Sequence, residues 1–387
     1  MESEEKPPPQ HFWEMLELSI FDYAYLLLIA VALILLHYHG MSNTIYWYVL
    51  LMALGVWLIS KPSDWVADSV IHLGIYFGFS DYVLGILSSL TAILGELTIV
   101  IFSVILAVGT ASPEFLDFAV LTTLFSMTFN LLTLGVIIMV RGEREIGVPD
   151  PILARELEII DMIYILSFLS AFVWIVNMEK ERIILPKPLA FLFIVIYVIY
   201  VRRIITVKKK EAKDDMIYKE AGIKIKPRKP EMSLSRAILF LALGGALTTI
   251  GGDLIVESVK FFLNTNVSFF STFGDPLLIV SMIVGGASAL YDMIISLRYT
   301  SEGRVLISIG GLIGSIPPLF MLLLGSFGVF FGLPIDGKIA LLLMSLSVSL
   351  LFLRHAITDD KKLDSYEGTI LLLLQLVTLL IVIQGFQ

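Results

Sequence analysis

Ile279-Val-Ser-Met-Ile-Val-Gly285-Gly286-Ala-Ser288-Ala-Leu-Tyr-Asp292-Met-Ile-Ile-Ser296-Leu297 is an apolar run with a single charge, Asp292. Its length suits a helix crossing the ~30 Å hydrocarbon core of a bilayer. A carboxylate near the bilayer centre costs roughly 2.5–3.5 kcal/mol on insertion scales, so Asp292 is expected to face protein or water and to serve function. Ser288, Asp292 and Ser296 fall on one helical face at i, i+4 and i+8. Gly285-Gly286 lies about two turns earlier, where the helix is expected to thin or unwind. The following run carries Gly310-Gly311, Gly314-Ser315 and Pro317-Pro318. Small residues let helices approach closely, and a helix interrupted by Gly and Pro frees carbonyls where it lines a cavity. A carboxylate among hydroxyls and carbonyls is the donor set of a hard cation.

The rest of the chain is built to hold such a segment. Of 387 residues, 57% are hydrophobic and 16% charged, against about 45–50% apolar in soluble domains, which reads as a polytopic membrane protein. The absence of cysteine excludes disulfides, thiol catalysis and Cys-ligated metals. The histidines, His11, His37, His39, His72 and His355, show no metal-ligand spacing. The acidic, Pro-rich start, Met1-Glu-Ser-Glu-Glu-Lys-Pro-Pro-Pro, lacks the basic region of a signal peptide.

Apolar windows fall near 18–38, 44–78, 82–107, 115–140, 157–177, 185–206, 233–263, 275–299, 304–332, 337–355 and 368–386. Two long windows carry acids: Asp64 and Asp68 in the first, Asp253 and Glu257 in the second. These acids are read as water-facing positions near helix ends, with ion entry or gating as the alternative. Segment 202–236 holds twelve Lys/Arg against five acids and is expected to stay cytoplasmic; anionic-lipid binding is the alternative use of its charge. Counting from it puts the N-terminus, Arg141/Arg144, Arg298/Arg304 and Arg354/Lys361/Lys362 inside. Only 178–187, with Lys180, Arg182 and Lys187, runs against that trend.

An internal repeat organises the spans. Asp64-Trp-Val-Ala-Asp68-Ser-Val70 matches Asp253-Leu-Ile-Val-Glu257-Ser-Val259 at 253 − 64 = 189, and Ser126 matches Ser315 at 315 − 126 = 189. Five spans per half would invert the second copy, a recurring transporter plan with its site near the midplane. The expected fold is therefore an all-α polytopic membrane protein of two inverted five-helix repeats, ten core helices, plus one extra N-terminal transmembrane helix. The expected parts are 1–43 (tail and extra helix), 44–206 (first repeat), 207–232 (cytoplasmic basic loop) and 233–387 (second repeat). Glu96 is the only charge between Asp81 and Glu114 and pairs with Asp292, since 96 − 78 and 292 − 274 are both 18 from a glycine. An ungapped offset would oppose Asp292 with Ser103 instead. Ser89, Glu96 and Ser103 lie close to one stripe, and Thr122, Ser126 and Asn130 form a polar face on an apolar helix. That face serves either as site lining or as helix–helix hydrogen bonding.

Taken together these residues resemble the cation/Ca2+ exchanger superfamily, the sodium/calcium exchanger type in particular. The resemblance rests on Ala287-Ser-Ala-Leu-Tyr-Asp292 followed by Gly310-Gly311-Leu-Ile-Gly314-Ser315, on Gly251-Gly252-Asp253-Leu-Ile-Val-Glu257, on Thr91-Ala-Ile-Leu-Gly95-Glu96 and on Leu121-Thr122-Thr-Leu-Phe-Ser126-Met-Thr-Phe-Asn130. Gly109-Thr-Ala-Ser-Pro-Glu114 is closer in letters to the family's acidic block, but it falls between two apolar runs, where Pro and Glu are ordinary loop residues. The family's further acid or amide positions beside the main ligands fall on Thr122 and Gly311, and of its Asn positions only Asn130 remains.

The resemblance implies a secondary antiporter, not an enzyme, that exchanges Ca2+ or a similar divalent cation for Na+. Glu96 and Asp292 would be the main ligands, with Ser89, Thr122, Ser126, Asn130, Ser288 and Ser315 contributing. The same fold coupled to H+ is the alternative, because neighbouring buried carboxyls without a cation favour holding a proton. A membrane-embedded acid/base hydrolase and an inactive transporter homologue are more distant readings. No phosphate-binding loop is present, no cofactor is expected beyond the transported ions, and the expected partners are inorganic cations and the lipid bilayer, without nucleic acid. The expected location is a prokaryotic plasma membrane.

Overall fold

A computed structural model of the chain describes residues 18–77, 93–142, 146–147, 150–207, 232–265, 275–301 and 305–384. The helices are α1 (Ile20–Tyr38), α2 (Ile45–Tyr76), α3 (Leu94–Thr110), α4 (Glu114–Arg141), α5 (Asp150–Val176), α6 (Lys187–Val207), α7 (Leu234–Asn264), α8 (Pro276–Ser301), α9 (Val305–Pro317), α10 (Gly325–Phe330), α11 (Gly337–Asp360) and α12 (Ser365–Gln384). A π-helical segment, Pro318–Leu324, joins α9 to α10 into one pass. Among the described residues eight helical stretches are long and apolar enough to cross a membrane, and Leu94–Thr110 and Pro276–Leu290 are shorter apolar helices. The only strands there form two short ribbons: β1 (Ile146–Gly147) pairs with β4 (Lys362–Leu363), and β2 (Arg182–Ile184) with β3 (Pro334–Asp336).

Burial ranks the helices. In its apolar window α4 is 72% buried and the α9–α10 pass 78%, whereas α1 is 6% buried. A helix apolar on every side belongs in the centre of a bundle, so these two passes form the core. Helix α1 is peripheral. It begins with a capping box, Ser19 accepting from the Asp22 amide while Asp22 accepts from the Ser19 amide. The same Asp22 accepts from Trp57 Nε1 at 2.9 Å, and the Tyr25 hydroxyl donates to the Ala53 carbonyl at 2.8 Å, so α1 is pinned along α2.

Contacts recur between the halves in exchanged pairs. A Cβ on Gly55 would meet the Gly251 carbonyl at 2.8 Å and Ile255 N at 3.3 Å, while one on Gly244 would meet the Pro62 carbonyl at 2.7 Å and Val66 N at 3.3 Å. Adding the sequence offset of 189 to 55, 62 and 66 gives 244, 251 and 255, so the second contact is the first with its halves exchanged. In α4, Gly135 admits the backbone of α12 at Leu372; in α10, Gly325 admits α6 at Phe193 and Ala190. The ribbons obey the same exchange, each pairing a strand of the first half with one of the second. Glycine is required at these crossings because helix backbones touch there.

The two ends of the bundle are closed by different polar contacts. At the C-terminal end of α4, Arg141 Nη2 donates to the Thr300 carbonyl at 2.8 Å, the Ser365 hydroxyl donates to the Met139 carbonyl at 2.8 Å, and the β1–β4 ribbon carries Lys362. At the opposite end Arg182 of β2 ion-pairs with Asp117 at 2.9 Å, and Lys338 pairs with Asp275. The segment that ran against the charge trend thus has its central arginine neutralised by α4.

Replacing Gly251 with Val should cost about 1–3 kcal/mol through overpacking against α2, seen as a lower unfolding temperature in detergent. Gly245→Ala, where an added Cβ meets nothing within 4 Å among the described residues, should leave that temperature unchanged.

Candidate cation site

The polar face expected on α4 lies at the centre of the bundle. Thr122 is 1% exposed, Ser126 0% and Asn130 1%, although the surrounding residues are apolar. Buried polar groups without partners are costly, and their partners here are the two acids and a hydroxyl on other helices. The Ser126 hydroxyl donates to Glu96 Oε1 at 2.9 Å. Asn130 Nδ2 lies 3.2 Å from Asp292 Oδ2 and 2.9 Å from Ser315 Oγ. One helix therefore ties α3, α8 and α9 together within two turns.

The acids are placed by different means. Glu96 is 5% exposed and sits in the first turn of α3, where unbonded amide groups and the helix dipole favour negative charge. Asp292 is half-buried in the middle of α8. The two carboxyl groups are close enough to act on each other's charge, and the Ser288 hydroxyl also reaches Glu96. The Ser288 proton goes to the Gly285 carbonyl at 2.9 Å and the Ser315 proton to the Leu312 carbonyl at 2.9 Å; Ser315 Oγ also accepts from Asn130, so each hydroxyl oxygen keeps at least one lone pair as an acceptor.

Of the residues expected from sequence, Ser126, Glu96 and Ser288 form one hydrogen-bonded group and Ser315, Asn130 and Asp292 another, and the two acids lie close enough to feel each other's charge. Thr122 lies one turn before Ser126 with its Oγ1 buried and without a hydrogen-bond partner among the described residues, as is Asn130 Oδ1. These two orphaned oxygens are acceptors of the kind a hard cation takes. Ser89 lies outside the described residues. Ser103, the ungapped counterpart of Asp292, donates to the Ile99 carbonyl of its own helix. Glu114 is exposed at the start of α4, after a left-handed residue at Ala111, which is loop geometry.

Three local expectations are corrected. Helix α8 does not unwind at Gly285-Gly286; it runs unbroken, and the glycines instead admit α4, a Gly285 Cβ meeting the Thr122 carbonyl at 2.6 Å and a Gly286 Cβ the Phe129 ring at 2.9 Å. Pro317-Pro318 does not break its helix either, because wider π winding accommodates the missing amides while the pass continues. Ser296 belongs to a separate cluster: its carbonyl accepts from Thr300 Oγ1 of its own helix and from Ser308 Oγ, each at 2.7 Å, and the Ser308 bond, with the Thr300–Ser308 hydroxyl contact at 3.0 Å, closes α8 onto α9. The only sequence signal for that cluster was hydroxyls at i and i+4 near a helix end.

The site is a shared polar centre to which a helix from each half brings one acid, and the fold around it is that of the cation/Ca2+ exchangers. The chain is similar over 92% of its length to the H+/Ca2+ exchanger CAX (TM-score 0.64, 18% identity, 88% of that chain). It is similar over 87% to the sodium-calcium exchanger NCX_Mj (TM-score 0.55, 18% identity, 99% of that chain) and over 93% to native YfkE (TM-score 0.59, 14% identity, 99% of that chain). No protein-family profile and no curated protein sequence matches; at such identities the likeness establishes the fold.

Asn130→Ala removes both bonds that hold Asp292 and Ser315 to α4. It should weaken binding of radiolabelled Ca2+ to the purified protein by about 10–100-fold, the usual effect of losing an orienting partner.

Proposed function

We propose that this protein is a secondary antiporter of the cation/Ca2+ exchanger superfamily, moving Ca2+ or a similar divalent cation against Na+. The observation that carries this reading is the convergence of Glu96 and Asp292 on the Ser126–Asn130 face of α4, with the orphaned Thr122 and Asn130 oxygens beside them. Two carboxylates with neutral oxygens are ligands for a hard cation. The solved structures that share the fold and are described by activity are exchangers, which favours transport over hydrolysis. Coupling to H+ is the second reading, favoured by the higher TM-score to the H+/Ca2+ exchanger.

In this reading 44–206 and 233–387 are two inverted five-helix repeats, α1 stands outside them, and the basic 207–232 loop is cytoplasmic. The paired contacts of α2 with α7 and the exchanged ribbons support that division. The basic end of the bundle, with Arg141 and Lys362, faces the cytoplasm.

Radiolabelled Ca2+ uptake into proteoliposomes should follow an imposed Na+ gradient, or a pH gradient under the second reading. Glu96→Gln and Asp292→Asn should each reduce it more than about 100-fold while the protein still elutes as a folded species, since each removes one of two charges facing the ion. Glu114→Gln should leave uptake intact. Uptake unaffected by the first two changes would refute the site.

A further inference from the structure

We infer that Ser308 is a positioning residue: its hydroxyl fixes α9 against α8 and so sets where Asp292 and Ser315 meet the cation. The inference rests on the antiporter reading above and names what holds one wall of that site. Ser308 Oγ donates to the Ser296 carbonyl at 2.7 Å, and Thr300 Oγ1 lies 3.0 Å from Ser308 Oγ. All three residues are buried. Arg141 donates to the Thr300 carbonyl at 2.8 Å, so this clasp is tied to α4, the helix that also carries Asn130. Ser296 lies one turn beyond Asp292 on α8, and Ser308 lies two turns before Ser315 on α9.

A comparison of the two halves shows what the clasp is for. In the first half the Ser126 hydroxyl donates straight to Glu96, which locks α3 and α4 in register at the acid itself. Its counterpart Ser315, at 126 + 189, gives its proton to the Leu312 carbonyl and reaches Asp292 through the Asn130 amide. That amide stands 3.2 Å from the carboxylate, longer than the ~2.7–2.9 Å of a strong charge-assisted bond. The place of Asp292 is therefore left to its helix. With the acids aligned, at 292 − 96 = 196, Ser296 and Thr300 correspond to Val100 and Val104; at the third-span offset, 308 − 189 = 119, Ser308 corresponds to Ala119. Those three first-half residues belong to one apolar cluster. The hydroxyls thus stand in the half whose acid has no direct bond from its own third span among the described residues.

Helix α9 has little other means of holding its register on one face. A Cβ added at Gly310, Gly311 or Gly314 meets nothing within 4 Å among the described residues. Ca2+ takes its oxygens at about 2.3–2.6 Å, and discrimination among cations depends on cavity size and flexibility. A clasp that fixes the separation of Asp292 and Ser315 favours Ca2+ over the larger Ba2+, and a loosened one lets the site widen.

The test is equilibrium binding of radiolabelled Ca2+ to the purified full-length protein, with Ba2+ as competitor. Ser308→Ala should weaken Ca2+ binding about tenfold, as loss of an orienting partner does, and weaken Ba2+ binding less, so that the preference for Ca2+ falls. Ser308→Thr, which retains the hydroxyl, should keep both at native values. On an Asn130→Ala background Ser308→Ala should cost little more, because both changes act on the same pair of residues. Ser170→Ala, which removes a buried hydroxyl bonded to the Leu166 carbonyl within α5, should change neither affinity. Native affinity in Ser308→Ala, equal losses for the two ions, or a fully additive double variant overturns the inference and leaves the antiporter reading standing. A native protein that binds no Ca2+ overturns both. Should Ser308→Ala fail to fold, Thr300→Val, which removes one arm of the clasp, is read in its place: a smaller shift in the same direction supports the inference, and native values overturn it.

Discussion

Two carboxylates inside an apolar bundle, Glu96 buried and Asp292 half-buried, are the constraint on which the rest of this structure depends. Charge is expensive where the dielectric is low, and like charges close together raise the cost further. The protein meets it with fixed neutral donors: the Ser126 hydroxyl on Glu96 and the Asn130 amide on Asp292. Both donors come from α4, so the core helix must be polar on one face and still largely buried. Beside those donors the Thr122 and Asn130 oxygens stay buried and unpaired among the described residues, a cost that the proposed cation would relieve.

Bringing three helices onto one polar face demands close approach, which glycine provides. Gly285 and Gly286 let α8 lie against Thr122, Phe125 and Phe129, so Asp292, two turns further along, comes within reach of Asn130. At the crossing of α2 and α7, Gly55 and Gly251 bring the two backbones together, and Gly244 repeats the contact with the halves exchanged. Removing side chains at these points substitutes dispersion contact between backbones for the hydrophobic drive that lipid does not supply between helices. The π-helical turn after Pro317-Pro318 belongs to the same design: it keeps a proline-bearing pass continuous beside Ser315.

The extra helix α1 contributes little to this core. Its links to α2 include a Trp57–Asp22 bond, a Tyr25–Ala53 bond and a His37–Trp47 ring contact. The Asp22 that makes one of them also caps its own helix, which accounts for an acid in an otherwise apolar span.

The membrane class, most of the helices, the offset of 189 and two lone acids in apolar runs were legible in the amino-acid chain. Each of these is written in hydropathy, in spacing, or in the rarity of charge within an apolar run. The polar face of α4 was legible as a periodicity, but whether it served the site or merely held helices together was not, because both uses need the same residues at the same spacing. Helix packing settled that Ser126 meets Glu96 and Asn130 meets Asp292, that Gly285-Gly286 is a contact rather than a break, and that Ser296 serves the α8–α9 closure. Those outcomes depend on which helix lies across which, and side chains 30 to 185 residues apart meet through that packing alone.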